Sequence, residues 1–472
     1  MIRLLRLFFC FVNVAKAHKG LLGRYYAVRH DLGHYRSAAV TATYTVNLPC
    51  QLKTSVWLRN TFERALQYTI LGNPRLCFGI ETNGSNSTAG FKQLAEIQSG
   101  DVVKYLEIDV VDVGMSVDDQ LSRVIGAAHS HQWVADKPAW RTIVSFQTSA
   151  KSVPGAEQAE TSRVTINVTF LAHHAIADGF SGMAFHISLM NHWREFSEVG
   201  VEAEWPLSLS HDVPAPASID HLWAGVAILL ASTTEYRSRV RLITIPNNRL
   251  LEILDVCKRN RTALTGLLHG LICVALRRHV EDARAFRSVT PYSVRKFTNA
   301  DAMDILNHIS FMTQYVPSAM LEELQATETG SPAESSLILK MASAFASDMK
   351  AELGGFPNNN AWANVHHITD LEAHCRDQIG TACEYTYELS NLGSMRMAPT
   401  TGDGIILERL IFTQCGMVAG PALGFNCASV QGGPLIISIT WQDGIVEENL
   451  VKHVARELEQ RLITASDTFA TE

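Results

Sequence analysis

Residues 169–182 read TFLAHHAIADGFSG. Two adjacent histidines, His173 and His174, are followed by Asp178 and Gly179. Imidazole has an unperturbed pKa of about 6.5, so a histidine is mostly neutral at pH 7 and can accept a proton. That suits a reaction in which a hydroxyl or amine is deprotonated as it attacks, with no serine or cysteine nucleophile. Asp178, four residues beyond His174, can cap a following helix. Gly179 permits a sharp turn or a close backbone approach. For an isolated His-x-x-x-Asp, local hydrogen bonding at a strand end plus a helix cap is the commoner explanation.

The surrounding elements give the motif its interest. RVTINVTF (163–170) alternates cleanly, with Val164, Ile166, Val168 and Phe170 on one face and Thr165, Asn167 and Thr169 on the other. If the alternation continues, His173 and His174 point in different directions. A helix follows, with Phe185, Leu189, Trp193 and Phe196 on one side and Met183, Ile187 and Met190 on another. NVHHITDLEAH (364–374) is an internal control. There His366, Asp370 and His374 fall at helical spacing, no clean strand precedes them, and Leu371 stands where the first motif has glycine. A metal site is conceivable on such a face, but solvated helix surface is the simpler reading.

The rest of the chain mixes strands and amphipathic helices. SAAVTATYTVNL (37–48) reads as a strand. A helix over 54–70 carries Leu58, Phe62, Ala65, Leu66 and Thr69 on one side. Residues 149–163 and the proline-containing 202–220 read as connectors, and ELGGFPNNNAWAN (352–364) as a loop. In the second half, 239–246 reads as a strand, 264–279 as a helix and 288–297 as a strand. PLIISITW (434–441) reads as another strand, and 447–463 as a helix burying Leu450, Val454, Leu458 and Leu462. The expected organisation is an extension at 1–19, a lobe at 20–205, a crossover at 206–238 and a second lobe at 239–472. Each lobe is expected to be a sheet with packed helices.

Composition bounds the partners. The chain has 472 residues, 47% hydrophobic and 18% charged, with a net charge of −7. There is no long basic block, which argues against a nucleic-acid partner. Nine scattered cysteines without a Cys-x-x-Cys pair suggest reduced thiols and a cytoplasmic setting. MIRLLRLFFCFVNVAKA resembles a signal peptide loosely, but it is too short and interrupted for a comfortable span. It also fits a peripheral helix on an endoplasmic-reticulum or lipid-droplet surface, or a non-native extension. The sequon Asn167-Val168-Thr169 lies inside a strand, where a glycan would not fit, and this weighs against secretion.

The combination of strand, HHxxxDG and helix resembles the signature of the chloramphenicol-acetyltransferase-like superfamily. This superfamily includes carnitine acyltransferases, plant BAHD acyltransferases and condensation domains of peptide synthetases. Four further stretches, LLGRYYAVRHDLGHYRSAAVTATY, ALTGLLHGLICVAL, ELSNLG (388–393) and PLIISITWQDGIVEENL, look like the fungal alcohol acetyltransferases within it. The resemblance spans roughly residues 20–465. No Asp-Phe-Gly-Trp-Gly is present, which separates the chain from the plant branch.

The resemblance implies an α/β, two-lobed fold with an active-site tunnel between the lobes. It implies His174 as general base, Asp178 as a structural carboxylate paired with an arginine (Arg295 being the candidate), and Gly179 as a close-approach position behind His174. His173 is supporting. The oxyanion donor is left open among Ser390, Asn391 and a backbone N–H. The implied reaction moves an acetyl group from acetyl-CoA to a small-molecule alcohol, with no resident cofactor and no metal, in a monomer. Lys296 is a candidate for the anionic CoA. Two alternatives stand beside it: a condensation-type enzyme using a carrier-protein thioester, and a non-catalytic ligand-binding homologue.

Overall fold

The computed structural model describes residues 17–18, 21–49, 53–81, 90–108, 115–147, 161–196, 202–209, 236–280, 282–358, 370–377, 383–396 and 405–469. The expectations for residues 1–16, for most of the 206–238 crossover, for 148–160 and for His366 lie outside them.

The alternating β-rich runs form two sheets. β1 (Ala38–Pro49), β2 (Val103–Ile108), β3 (Trp140–Gln147) and β4 (Thr161–Ala172) belong to the first. β1 and β4 are antiparallel over their whole length, from Ala38 opposite Ala172 to Pro49 opposite Thr161. Four helices accompany them: α1 (Leu21–Asp31), α2 (Thr54–Gly72), α3 (Val117–His129) and α4 (Gly179–Glu195). Leu58, Phe62, Ala65, Leu66 and Thr69 of α2 are fully buried, as their common face requires. Trp193 of α4 ties the layers together, its ring 5.2 Å from Phe62 on α2 and 5.5 Å from Tyr44 on β1. The other face of β4 is also covered. Asn167 there is 9% exposed and accepts a hydrogen bond from Thr43 at 2.8 Å, so it has no room for a glycan.

The second sheet contains β5 (Ser238–Ile245), β6 (Phe286–Ser293), β7 (Ile309–Val316) and β8 (Tyr385–Met395). It also contains β10 (Pro421–Val430) and β11 (Leu435–Gln442). Its order is β5-β11-β10-β8-β6-β7; β8 runs parallel to both its neighbours, and all other pairs are antiparallel. Its longer helices are α5 (Asn247–Arg259), α6 (Leu264–His279), α7 (Pro332–Gly355) and α8 (Glu448–Ile463). α6 is buried nearly all round, packed against α7 and α8, which is why apolar residues cover more than one of its faces.

Four details differ from the sequence reading. β9 (Ile406–Gln414) leaves the second half of the chain and joins the first sheet, whose order is β9-β1-β4-β3-β2. Residues 239–472 therefore do not stay in one sheet. The strand placed over 288–297 ends at Ser293, and Arg295 starts a helical turn (Arg295–Thr298) closed by Asn299 with φ 53°. The loop placed at 352–364 begins later, because α7 runs to Gly355. Leu450 is half-buried, while Val454, Leu458 and Leu462 reach the core. Among the described residues, no helix is long and apolar enough to cross a membrane.

Candidate active site

β4 ends at Ala172, and the next six residues form the turn that starts α4. His173 N–H donates to the Ala139 carbonyl at 2.9 Å, extending the β3 pairing by one step. Its Nδ1 accepts from the Ala175 N–H at 2.9 Å, which folds the ring back into the turn against His30, 4.9 Å away. His173 therefore shapes the turn and does not line the cavity described below.

His174 points the other way, into a cavity of about 740 Å³ walled by both halves of the chain. This volume lies within the usual range for small-molecule sites. Nδ1 of His174 donates to the Ala177 carbonyl at 2.9 Å. A carbonyl can only accept, so the proton sits on Nδ1 and the lone pair on Nε2. The Tyr26 ring stacks on the imidazole at 4.2 Å, and Tyr35 lies at 5.4 Å. Burial lowers the His174 pKa to about 4, against an opposing pull from the negative charge of Asp178. The backbone is clamped from the second half of the molecule, where Asn307 Nδ2 donates to the His174 carbonyl at 2.5 Å.

Asp178 serves as helix cap and as ion-pair partner. It is the N-cap of α4, accepting from the Ser181 N–H at 2.9 Å in a capping box. Arg295 grips the same carboxylate with Nη1 to Oδ2 at 2.6 Å and Nη2 to Oδ1 at 2.8 Å. The His308 N–H adds a bond to Oδ2 at 3.2 Å. Burial pushes the carboxyl pKa up, but the arginine and these donors outweigh it, and the net shift is downward. At Gly179, a Cβ would lie 2.6 Å from Leu392 Cδ2 and 3.0 Å from Phe412, so glycine lets β8 of the second sheet and β9 of the first close on the turn.

Ser390 and Asn391 lie on β8 at the cavity wall. Asn391 is engaged: its Nδ2 donates to Thr265 Oγ1 at 3.1 Å and its Oδ1 accepts from the Gly393 N–H at 2.8 Å. Lys296 is exposed, its Nζ over the Phe297 ring, away from the cavity lining. In the control motif, Asp370 caps the short helix Leu371–Arg376 and His374 reaches the cavity lining. No metal-binding cluster occurs among the described residues. Cysteines 77, 257, 273, 375, 383, 415 and 427 are free thiols.

Sequence reasoning missed Glu388, Arg29 and Gln414, all in the cavity wall. Glu388 had a usable signal. It is two residues before Ser390 on a strand, and so faces the same way.

Against this geometry, the comparisons are consistent. No family model matches the chain. It is 25% identical to the probable alcohol acetyltransferase FCK4 of Fusarium pseudograminearum (strain CS3096), over 92% of each chain. It is 21% identical to the probable alcohol acetyltransferase crmB of Aspergillus fumigatus (strain Af293), over 92% of this chain and 97% of that protein. Among solved structures it is similar to the TRI3 trichothecene 15-O-acetyltransferase of Fusarium sporotrichioides (TM-score 0.66, 12% identity, 96% of this chain and 94% of that one). It is also similar to the first condensation domain of the CDA synthetase (TM-score 0.59, 14% identity, 96% and 97%). The chain has the chloramphenicol-acetyltransferase-like fold, two sheet-rich lobes of mixed α/β structure, shared by acetyltransferases and condensation domains. The sequence resemblance to fungal alcohol acetyltransferases finds its counterpart in the two curated relatives, which support an acyltransferase role.

Proposed function

We propose that this protein is a CoA-dependent O-acyltransferase that moves an acetyl group from acetyl-CoA to the hydroxyl of a small-molecule alcohol. The observation that carries the reading is His174, neutral, fixed in one tautomer by Ala177, and set in the wall of a cavity shared by both halves. Nε2 takes the hydroxyl proton as the alcohol oxygen forms a bond to the thioester carbonyl. The C–S bond then breaks, and His174 returns the proton to the departing thiolate. Charge on the carbonyl oxygen needs a donor in between. Ser390 is the proposed donor, since its side chain lies in the cavity wall and the Asn391 amide is engaged elsewhere. Asp178 does not touch the reacting atoms; with Arg295 it holds the turn that carries His174. A cytoplasmic monomer without resident cofactor suits this chemistry.

The test is an alcohol panel with acetyl-CoA, following thiol release, beside His174→Ala. Wild-type release that the variant loses supports the reading. Release equal in both, or seen only with carrier-bound acyl groups, overturns it.

A further inference from the structure

Glu388 is 6% exposed and lies in the same cavity wall as His174. Its Oε1 accepts from Gln414 Nε2. Gln414 Oε1 accepts from the Tyr35 hydroxyl at 2.9 Å, and its Nε2 also reaches Asn426 Oδ1 at 3.2 Å. Asn426 donates its own amide nitrogen to Ser438 Oγ at 3.2 Å. The network thus fixes which end of the Gln414 amide faces the glutamate. Among the described residues, no cation pairs with Glu388, and none donates to its second oxygen, Oε2. The guanidinium of Arg29 influences it only at a distance. That group sits 5.2 Å from the Tyr25 ring and 5.3 Å from the Tyr35 ring, with Nη2 turned to the Ala419 carbonyl at 2.5 Å.

Only one of the two carboxyl oxygens has a protein donor, the residue lines the cavity, and burial pushes its pKa up to about 7. The transfer chemistry proposed above has no use for it: the proton passes through His174, and Asp178 is paired. Oε2 is therefore open to a donor from whatever fills the cavity, water or a ligand group.

We propose that Glu388 is a specificity residue, its Oε2 receiving a hydrogen bond from a second donor group that the acceptor carries away from its reacting hydroxyl. The substrate class is then a bifunctional alcohol, with a hydroxyl or amide N–H at the far end. This rests on the acyl-transfer reading of the same cavity and narrows it.

The probes are α,ω-diols from butanediol to decanediol, each compared with its monomethyl ether and with the alkanol of equal length. Both thiol release and direct binding by calorimetry are measured. At pH 8.5, where Glu388 is ionised, and at one chain length, wild type favours the diol over both partners by about tenfold or more, the worth of a hydrogen bond to a charged group. The preference falls on the KM of the alcohol, not that of acetyl-CoA. In Glu388→Gln, the Gln414 N–H holds the new amide oxygen, so the amide nitrogen faces the cavity; hydroxyl and ether oxygens both accept from it, and the diol loses its advantage over the ether while both exceed the alkanol. In Glu388→Leu the alkanol binds best. A wild type without diol preference at any length overturns the proposal, as does a preference that survives both variants. Equal losses on all three alcohols, with a raised KM for acetyl-CoA, assign Glu388 to structure and also overturn it. A calorimetric preference for the diol over the ether that disappears in Glu388→Gln without any thiol release sinks acyl transfer and leaves this assignment standing.

Discussion

The guanidinium of Arg295 binds both carboxylate oxygens of Asp178, at 2.6 and 2.8 Å, across 117 residues of sequence. One partner caps the helix that follows His174; the other begins a turn after β6 of the second sheet. The pair therefore sets the height of the His174 turn against the opposite half of the molecule. Arg295→Ala leaves a buried carboxylate uncompensated and should cost about 3–5 kcal/mol. Arg295→Lys should not restore it, since an ammonium cannot reproduce the two-point grip. Urea unfolding checks both, and a loss below about 1 kcal/mol for the alanine variant, no more than an exposed pair gives, contradicts the assignment.

Removal of the imidazole tests the chemistry separately from the fold. His174→Ala should lower kcat by about 10²–10⁴ while circular dichroism stays native. The active form is neutral, and burial depresses the pKa to about 4. The acid limb of kcat/KM, measured in a Glu388→Gln background so that the carboxyl titrating near 7 adds no limb of its own, should therefore lie near pH 4, with activity flat through 6.5, where an unperturbed histidine would titrate. A limb centred at 6.5 means that this ring is not the titrating base.

Part of this site was legible in the residues themselves. Alternation in RVTINVTF located β4 and its end, and the opposite directions of His173 and His174 followed from its parity. The Asp178 cap was readable from spacing alone. Arg295 was suggested by resemblance, but its position on a helical turn was not, because SVTPYSVRKF continues a β-like pattern past Ser293. β9 joins the first sheet from sequence 361 to 376 residues away, and no local pattern encodes partner choice over that separation (Ile406 pairs with Thr45, Gln414 with Ala38). α7 had a readable start, Ser331 capping the Glu334 N–H with Pro332 between them, yet its apolar residues are spread widely enough to blur the period. Glu388 escaped because a carboxylate in a strand looks like solvated surface until the tertiary structure closes over it.

Several buried histidines besides His174 should make the protein acid-sensitive. Burial lowers the pKa of His129 to about 3 and those of His186 and His269 to about 4. Their folded values lie below the unfolded value of 6.5, so the unfolded chain binds more protons throughout that interval. Stability is then full above pH 6.5 and falls as the pH drops toward 4. Differential scanning fluorimetry across that interval should show a progressive decline in Tm. His186, whose ring bridges Tyr44 and the Val40 carbonyl at 2.9 Å each, should account for part of it. A Tm that does not change between 6.5 and 4 contradicts the argument.

Ser390 and Asn391 are neighbours on one strand, and their substitutions should separate cleanly. The Asn391 amide ties β8 to Thr265 at the start of α6 and braces the bulge at Gly393, which has φ 72°. Asn391→Ala loses these bonds and should cost about 1 kcal/mol each in stability, with a modest effect on turnover. Ser390 is 7% exposed in the cavity wall and is the proposed donor to the developing oxyanion. Ser390→Ala should leave stability and both KM values close to wild type and lower kcat by about 10²–10³, because the lost bond forms only in the transition state. Steady-state kinetics beside urea unfolding separates the two. A kcat loss that follows Asn391 instead moves the donor one residue along the strand, and a loss with neither assigns the oxyanion to backbone N–H groups.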